Sequence, residues 1–272
     1  MSHIPPPIAL TIAGSDSSGG AGLQADLKVF QQLRVFGTTV VTLITAQNTG
    51  GVSGIQLLSP EIVQQQLHAV HSDVPPLALK TGALGSIEIM EVVADGLKMF
   101  HCPKVIDPVM VSKHGHPLID DNAVTFFRKN ILPLADLVTP NRFELQRLVG
   151  HSVDSVADAL NAARQLRDIG VKNCLLKLGQ AGDSQRLLAL ISDSAIHYEK
   201  SHLVTRSLHG TGCALSANIT ARLALSEPIT EAISNAIHDI HLAIQNAPSI
   251  GQKARNGEGF GPIDMHFSPS HL

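Results

Sequence analysis

Short apolar runs rich in β-branched residues recur along the chain: "IALTIAG", "GTTVVTLITAQ", "LALKTG", "KVIDPVM", "DLVTPN", "NCLLKLG" and "RLLALIS". Between the first several lie segments with apolar residues at helical spacing, such as "PEIVQQQLHAVHSDV" and "SIEIMEVVADGLKMF". Strand-sized runs alternating with helical ones predict βαβ crossovers. The expected fold is therefore α/β, with a mostly parallel central sheet and helices on both faces. The segment "SDSAIHYEKSHLV" alternates polar and apolar residues and predicts a small antiparallel edge hairpin with "RLLALIS". The C-terminal third turns helical at "TGCALSANITARLAL" and "ITEAISNAIHDIHLAIQNA". No internal repeat or low-complexity linker interrupts the pattern, so residues 1–272 are expected to form one domain.

In open sheets of this kind, ligands sit outside the carboxyl ends of the strands. The polar residues that end the apolar runs are therefore the informative ones: Asp16, Gln47, Asn48, Lys80, Asp107, Asn141, Glu144 and Lys177.

Composition narrows the function classes. The net charge is −3 with acids and bases interspersed, tryptophan is absent and tyrosine occurs once, so nucleic-acid binding has little support. Cys102, Cys174 and Cys213 are far apart and form no CxxC pair, so neither a zinc ribbon nor a disulfide framework is indicated. The start "MSHIPPPIALTIAG" lacks a basic region and a long apolar core. The longest uncharged stretch, Val35 to Pro60, contains Gln47, Asn48 and several glycines and does not suit a bilayer. The expectation is a soluble cytoplasmic protein with no membrane partner.

Neither GxxxxGK[ST] nor a GxGxxG opening the first helix is present, so a P-loop NTPase and a Rossmann dehydrogenase are both disfavoured. The best phosphate device is "HGTGCALSANITARLA". Its glycines let the N–H groups of Gly210, Thr211, Gly212 and Cys213 face one concavity at the start of a helix, an anion hole for a transferred phosphoryl group. Cys213 falls in the first turn, where the helix N-terminus is expected to lower its thiol pKa. A glycine N-cap with a structural cysteine is the alternative. In "TPNRFE", Asn141 and Glu144 are spaced to share one helix face, as a metal-nucleotide site or simply as a capping box. Asp107 in "DPVM" ends a strand, and acids near a phosphate site hold Mg²⁺, often through water. Gln47 offers a carboxamide that pairs with a heterocycle edge. Asp26, one turn beyond "AGSDSSGGAG", would accept from an exocyclic amine or stand as a solvated helix acid. The 14 histidines show no metal-binding spacing.

Taken in order, "ALTIAGSDSSGGAGLQADLKVF", "TAQNTGG", "KTGALGS", "VIDPVM", "LVTPNRFE" and "HGTGCALSA" resemble the hydroxymethylpyrimidine/phosphomethylpyrimidine kinases of thiamine biosynthesis, of the ribokinase-like superfamily. The resemblance covers nearly the whole chain. It implies ATP-dependent phosphorylation of an aminopyrimidine hydroxymethyl group and then of the monophosphate. It places Gly14, Asp26, Gln47 and Ala83 against the pyrimidine, and Gly210, Thr211, Gly212 and Cys213 at the anion hole, with Cys213 at the catalytic-base position. Asp107, Asn141, Glu144 and Lys177 would serve the ATP end, with Asp107 and Glu144 toward Mg²⁺. Superfamily analogy implies a homodimer. Three departures stand out. Ala83 replaces a frequent methionine and leaves a roomier pocket, "KLGQ" replaces "KGGH", and Ala236-Ile237-His238 lacks the usual lysine. They keep open a pyridoxal-type kinase and a catalytically silent ligand-binding homologue.

Overall fold

The structure, a computed structural model, describes residues 5–110, 119–181, 184–191, 194–201, 203, 205 and 207–269. The strands are β1 (Ile8–Asp16), β2 (Phe36–Asn48), β3 (Gly51–Leu57), β4 (Ala78–Thr81), β5 (Lys104–Ile106), β6 (Leu137–Val138), β7 (Asn173–Ala181), β8 (Ser184–Ile191) and β9 (Ser194–Ser201), and all but β3 and β9 come from the apolar runs. They form one sheet in the order β3-β2-β1-β4-β5-β6-β7-β8-β9. The strands β2, β1, β4, β5, β6 and β7 run parallel, whereas β3, β8 and β9 pair antiparallel at the two edges. The β8–β9 pairing is the hairpin that polar–apolar alternation predicts; residues 192–193, 202 and 204 of that segment lie outside the described residues. Strand β3 was not expected, because its glycines and its exposure on both faces erase any periodic signal.

Side-chain alternation sorts the strands onto two cores. Leu10, Leu79, Ile106, Val138 and Leu176 pack on one face with α2 (Pro60–Asp73), α3 (Ile87–Met99), α4 (Asp121–Asn130), α5 (Arg142–Val149) and α6 (Val156–Asp168). Ala9, Ala78, Val105, Leu137 and Leu175 pack on the other with α1 (Gly22–Gln32), α7 (Thr211–Ala224) and α8 (Ile229–Gln245). The same parity carries Thr11, Lys80, Asp107, Thr139 and Lys177 to the α1/α7 face. Five polar side chains thus gather at one end of one face.

Helix starts differ between the two faces. The helices α2 to α6 each begin with a side-chain cap, from Ser59, Ser86, Asp120, Asn141 and Ser155. Neither α1 nor α7 has one. Their first-turn N–H groups are left to other partners, and both ends open onto the same cavity.

Candidate active site

A cavity of about 460 Å³ lies at the carboxyl ends of β1, β4 and β5, between the starts of α1 and α7. Strand β1 runs through Asp16, further than its apolar run alone predicts, with a register shift between Ala13 and Ser15. Gly22 closes the following turn at φ +56°, and a Cβ there would overlap the Gly14 carbonyl. The intervening residues wrap the Asp16 carboxylate, which accepts from the Ser18 N–H and hydroxyl and from the Ala21 N–H. Its Oδ2 also lies 2.8 Å from His209 Nε2, so it ties this loop to the loop that precedes α7. Burial opposes ionisation of Asp16, yet the hydrogen bonds from His209 and Ser18 prevail and hold its carboxyl below the usual range. Gly210, the N-cap of α7, sits at φ +82° against Gly20, where any Cβ would overlap the Gly20 carbonyl.

Beyond Gly210 the backbone is preorganised for an anion. The Thr211 N–H reaches Leu208 O at 3.4 Å and the Ala214 N–H bonds Gly210 O at 2.8 Å. The amides of Gly212 and Cys213 have no partner among the described residues. Around them stand two cation–carboxylate pairs. Lys177 Nζ lies 3.2 Å from Asp107 Oδ1, which also accepts from the Thr139 hydroxyl at 2.9 Å. Lys80 Nζ lies 2.7 Å from Asp26 Oδ1, whose Oδ2 accepts from Thr11 at 2.6 Å. Asp26 is therefore not a solvated helix acid: it is fully buried, and each carboxylate oxygen already accepts one hydrogen bond. Burial pushes its carboxyl upward while Lys80 and Thr11 pull it back.

The expectation of an acidic Cys213 thiol fails. Burial pushes this thiol up to about 11, Asp26 and Asp107 add to the rise, and Lys80 only partly opposes them. One helix N-terminus is outweighed by a low dielectric with two carboxylates in view. At neutral pH the side chain is a thiol.

Asn141 and Glu144 form the capping box of α5: the Glu144 N–H donates to Asn141 Oδ1 and the Asn141 N–H to Glu144 Oε2, both at 2.8 Å. Both also line the cavity, so capping and site are one arrangement. Burial raises the Glu144 carboxyl to about 7 against the pull of Lys177.

Gln47 lies on the opposite wall. Ser17 pins its backbone, and its side-chain oxygen accepts from Thr45 at 3.2 Å. Its amide nitrogen is 3.3 Å from His209 Nε2. That ring nitrogen gives its proton to Asp16, so the Gln47 amide hydrogens remain available to a ligand. Gly14 and Ala83 complete the wall. Asn48 turns away, accepting from the Gly50 N–H.

A second cavity of about 300 Å³ shares Asn141, Lys177, Leu208 and Thr211 with the first. Its remaining wall is mainly apolar, from Leu187, Leu203, Leu215, Ile237, Ile240 and Ile244, with Lys200 and His241 at its polar side. Ile237 lines this cavity and also, with His238, an adjoining one of about 450 Å³; His238 does not line the second cavity and supplies no cation there. The Gln180 side chain lies outside the described residues.

A family model described as phosphomethylpyrimidine kinase matches residues 16–258. The chain belongs to that family. It is 46% identical over 265 residues to a hydroxymethylpyrimidine/phosphomethylpyrimidine kinase of Synechococcus elongatus, covering 97% of this chain and 98% of that one. It is 42% identical to a thiamine biosynthesis bifunctional protein of Geobacter sulfurreducens, over 94% of this chain and 51% of that one. Among solved structures, the pyridoxal kinase of Staphylococcus aureus in complex with AMP-PCP superposes with a TM-score of 0.87 at 31% identity, covering 96% of this chain and 94% of that one. The ribokinase-like fold expected from the sequence is thereby shown, and the protein is a kinase. For this phosphomethylpyrimidine kinase family member, sequence reasoning passed over Thr11, Thr139 and His209, and it singled out Lys80 as a strand-ending polar residue without giving it a role. Lys80 carried a signal, a lysine inside an otherwise apolar strand; His209 carried none.

Proposed function

We propose that the chain phosphorylates 4-amino-5-hydroxymethyl-2-methylpyrimidine with ATP, and then phosphorylates the resulting monophosphate, in thiamine biosynthesis. The observation that carries this reading is the unpartnered Gly212 and Cys213 amides at the junction of two cavities. The apolar second cavity suits a flat purine base, and the polar first cavity suits the pyrimidine. Gln47 donates to the pyrimidine edge, while Gly14 and Ala83 bound its ring. Asp26 holds that wall as a buried carboxylate with one lone pair on each oxygen still open to an exocyclic amine. The amides at the start of α7 receive the charge on the transferred phosphoryl group, and Lys177 neutralises more of it. The thiolate form of Cys213, a minor fraction at neutral pH, accepts the hydroxymethyl proton late in the transfer and becomes the thiol, as a loose transition state allows.

A Mg²⁺ ion fits the donor set at the nucleotide end. Asp107 and Glu144 offer hard oxygen ligands, and no group of three or more His, Cys, Asp or Glu side chains forms among the described residues. The two carboxylates would hold the ion largely through water, with Lys177 balancing their charge. The ion supplies charge neutralisation on the phosphate oxygens.

Residues 1–272 would work as one catalytic domain in a cytoplasmic homodimer. Exposed Ile44, Ile55 and Leu57 on the β2–β3 edge support association, and no described helix is long and apolar enough to cross a membrane.

Ala83 favours one second reading. A small side chain at this wall gives room for a larger ring, as in pyridoxal. Initial rates of ADP formation with the aminopyrimidine, its monophosphate and pyridoxal separate the two. The first reading expects kcat/KM for the aminopyrimidine to exceed that for pyridoxal at least tenfold. A preference for pyridoxal would replace it with the second.

A further inference from the structure

Lys80 is the one buried cation at this site to which the reading above gives no task. It lies in β4, opposite Thr11 of β1 and Val105 of β5, and its side chain has no exposure. Of its three N–H groups, one donates to Asp26 Oδ1; the other two find no acceptor among the described residues. Asp26 accepts at both oxygens, from Lys80 and from Thr11, the pattern of an ionised carboxylate. The pair lines the cavity into which Cys213 also projects. Buried ion pairs are often replaceable by apolar residues without loss of stability, so stability alone does not account for one beneath a reaction centre.

We propose that Lys80 is a positioning residue: it fixes the Asp26 carboxylate in the pocket wall, and its ammonium sets how readily the Cys213 thiol ionises. The electrostatics agree in sign. Lys80 is the main group that favours the Cys213 thiolate, and Asp26 opposes it. Lys80 itself keeps its proton, because the Asp26 carboxylate, with Asp107 behind it, outweighs its burial. Removing the cation and removing the carboxylate should therefore move the thiol in opposite directions.

The test is the rate of Cys213 alkylation by iodoacetamide at pH 8, followed by peptide mapping in folded protein, for wild type, Lys80→Met and Asp26→Asn. At a pH below the thiol pKa, the rate follows the thiolate fraction, and one pKa unit is a factor of about ten. Lys80→Met should react roughly three to ten times more slowly, Asp26→Asn faster, and Lys80→Arg near the wild-type rate. If Lys80→Met does not fold, Lys80→Gln, which removes the charge and keeps a donor for Asp26, serves instead, and it too should react more slowly. A structural role predicts something else: any loosening of the site would speed alkylation in both single variants. Lys80→Met reacting as fast as wild type, or both variants shifting the same way, overturns the proposal. The alkylation readout does not depend on which acceptor the enzyme prefers, so failure of the pyrimidine reading would leave it standing. The kinetic arm does rest on that reading: Lys80→Met should lower kcat for the aminopyrimidine while KM for ATP stays within about twofold.

Discussion

Cys213 shows how a residue's chemistry is set by neighbours that the sequence places far away. Local sequence puts it at a helix start and implies an acidic thiol; burial in the folded site reverses that, helped by Asp26 and Asp107, 187 and 106 positions earlier. A high-pKa thiol has a specific kinetic signature. The first phosphorylation must remove a proton from an alcohol, whereas in the second the nucleophile is a phosphate oxygen already ionised at neutral pH. Cys213→Ala should therefore slow the first step at least tenfold in single-turnover experiments and the second much less. Equal losses in both steps would remove Cys213 from proton transfer. Glu144 gives a pH prediction. Its folded-state value, about 7, lies above the ordinary 4.5, so between those pH values the unfolded chain has released a proton that the folded one retains. Its contribution to stability is thus intact below about 4.5, declines as pH rises to about 7, and stays lost above that. Glu144→Gln keeps an acceptor for the Asn141 N–H and removes the decline. Urea unfolding should show the variant gaining on wild type by on the order of 2 kcal/mol between pH 5 and pH 8; parallel profiles would contradict this. The capping box itself was legible from "NRFE", because a cap is local. The Lys80–Asp26 pair was not, because it joins a strand to a helix 54 positions away.

At the scale of elements, strand parity was the most readable feature. Alternation in "LALKTG" and "KVIDPVM" sends Lys80 and Asp107 to the face opposite Leu79 and Ile106, and the structure bears this out. Strand β3 was not legible, since an edge strand with both faces exposed has no burial to impose a period. The seating of α7 was not legible either. This helix, whose N-terminus is the proposed anion hole, is locked to α8 by a wholly buried network. Arg222 Nη2 donates to Asp239 Oδ2 at 2.6 Å, and Asn218 bonds both partners. Asp239→Ala would leave a buried guanidinium without its carboxylate, and a loss of about 3–5 kcal/mol is expected in chemical denaturation. A loss below about 1 kcal/mol would mean that Glu227, which also accepts from Arg222, suffices alone.

On the scale of the whole molecule, a sheet whose strands deliver their polar ends to one crevice makes a two-chamber site. The chambers meet at Thr211, Lys177 and Asn141, beside the start of α7. The parallel sheet and its helical layers follow from the alternation of runs. The order of strands, and hence which runs become neighbours, depends on long-range packing that no single run encodes. On the proposed function, both phosphorylations are reactions of this one site, with the monophosphate returning to the chamber in which it formed. The direct test is phosphorus NMR of the purified enzyme with Mg-ATP and the hydroxymethylpyrimidine alone. The account predicts a transient monophosphate signal followed by the diphosphate, with two molecules of ADP released per pyrimidine consumed. An enzyme that stops at the monophosphate under excess ATP, or that yields no pyrimidine phosphate, would contradict it.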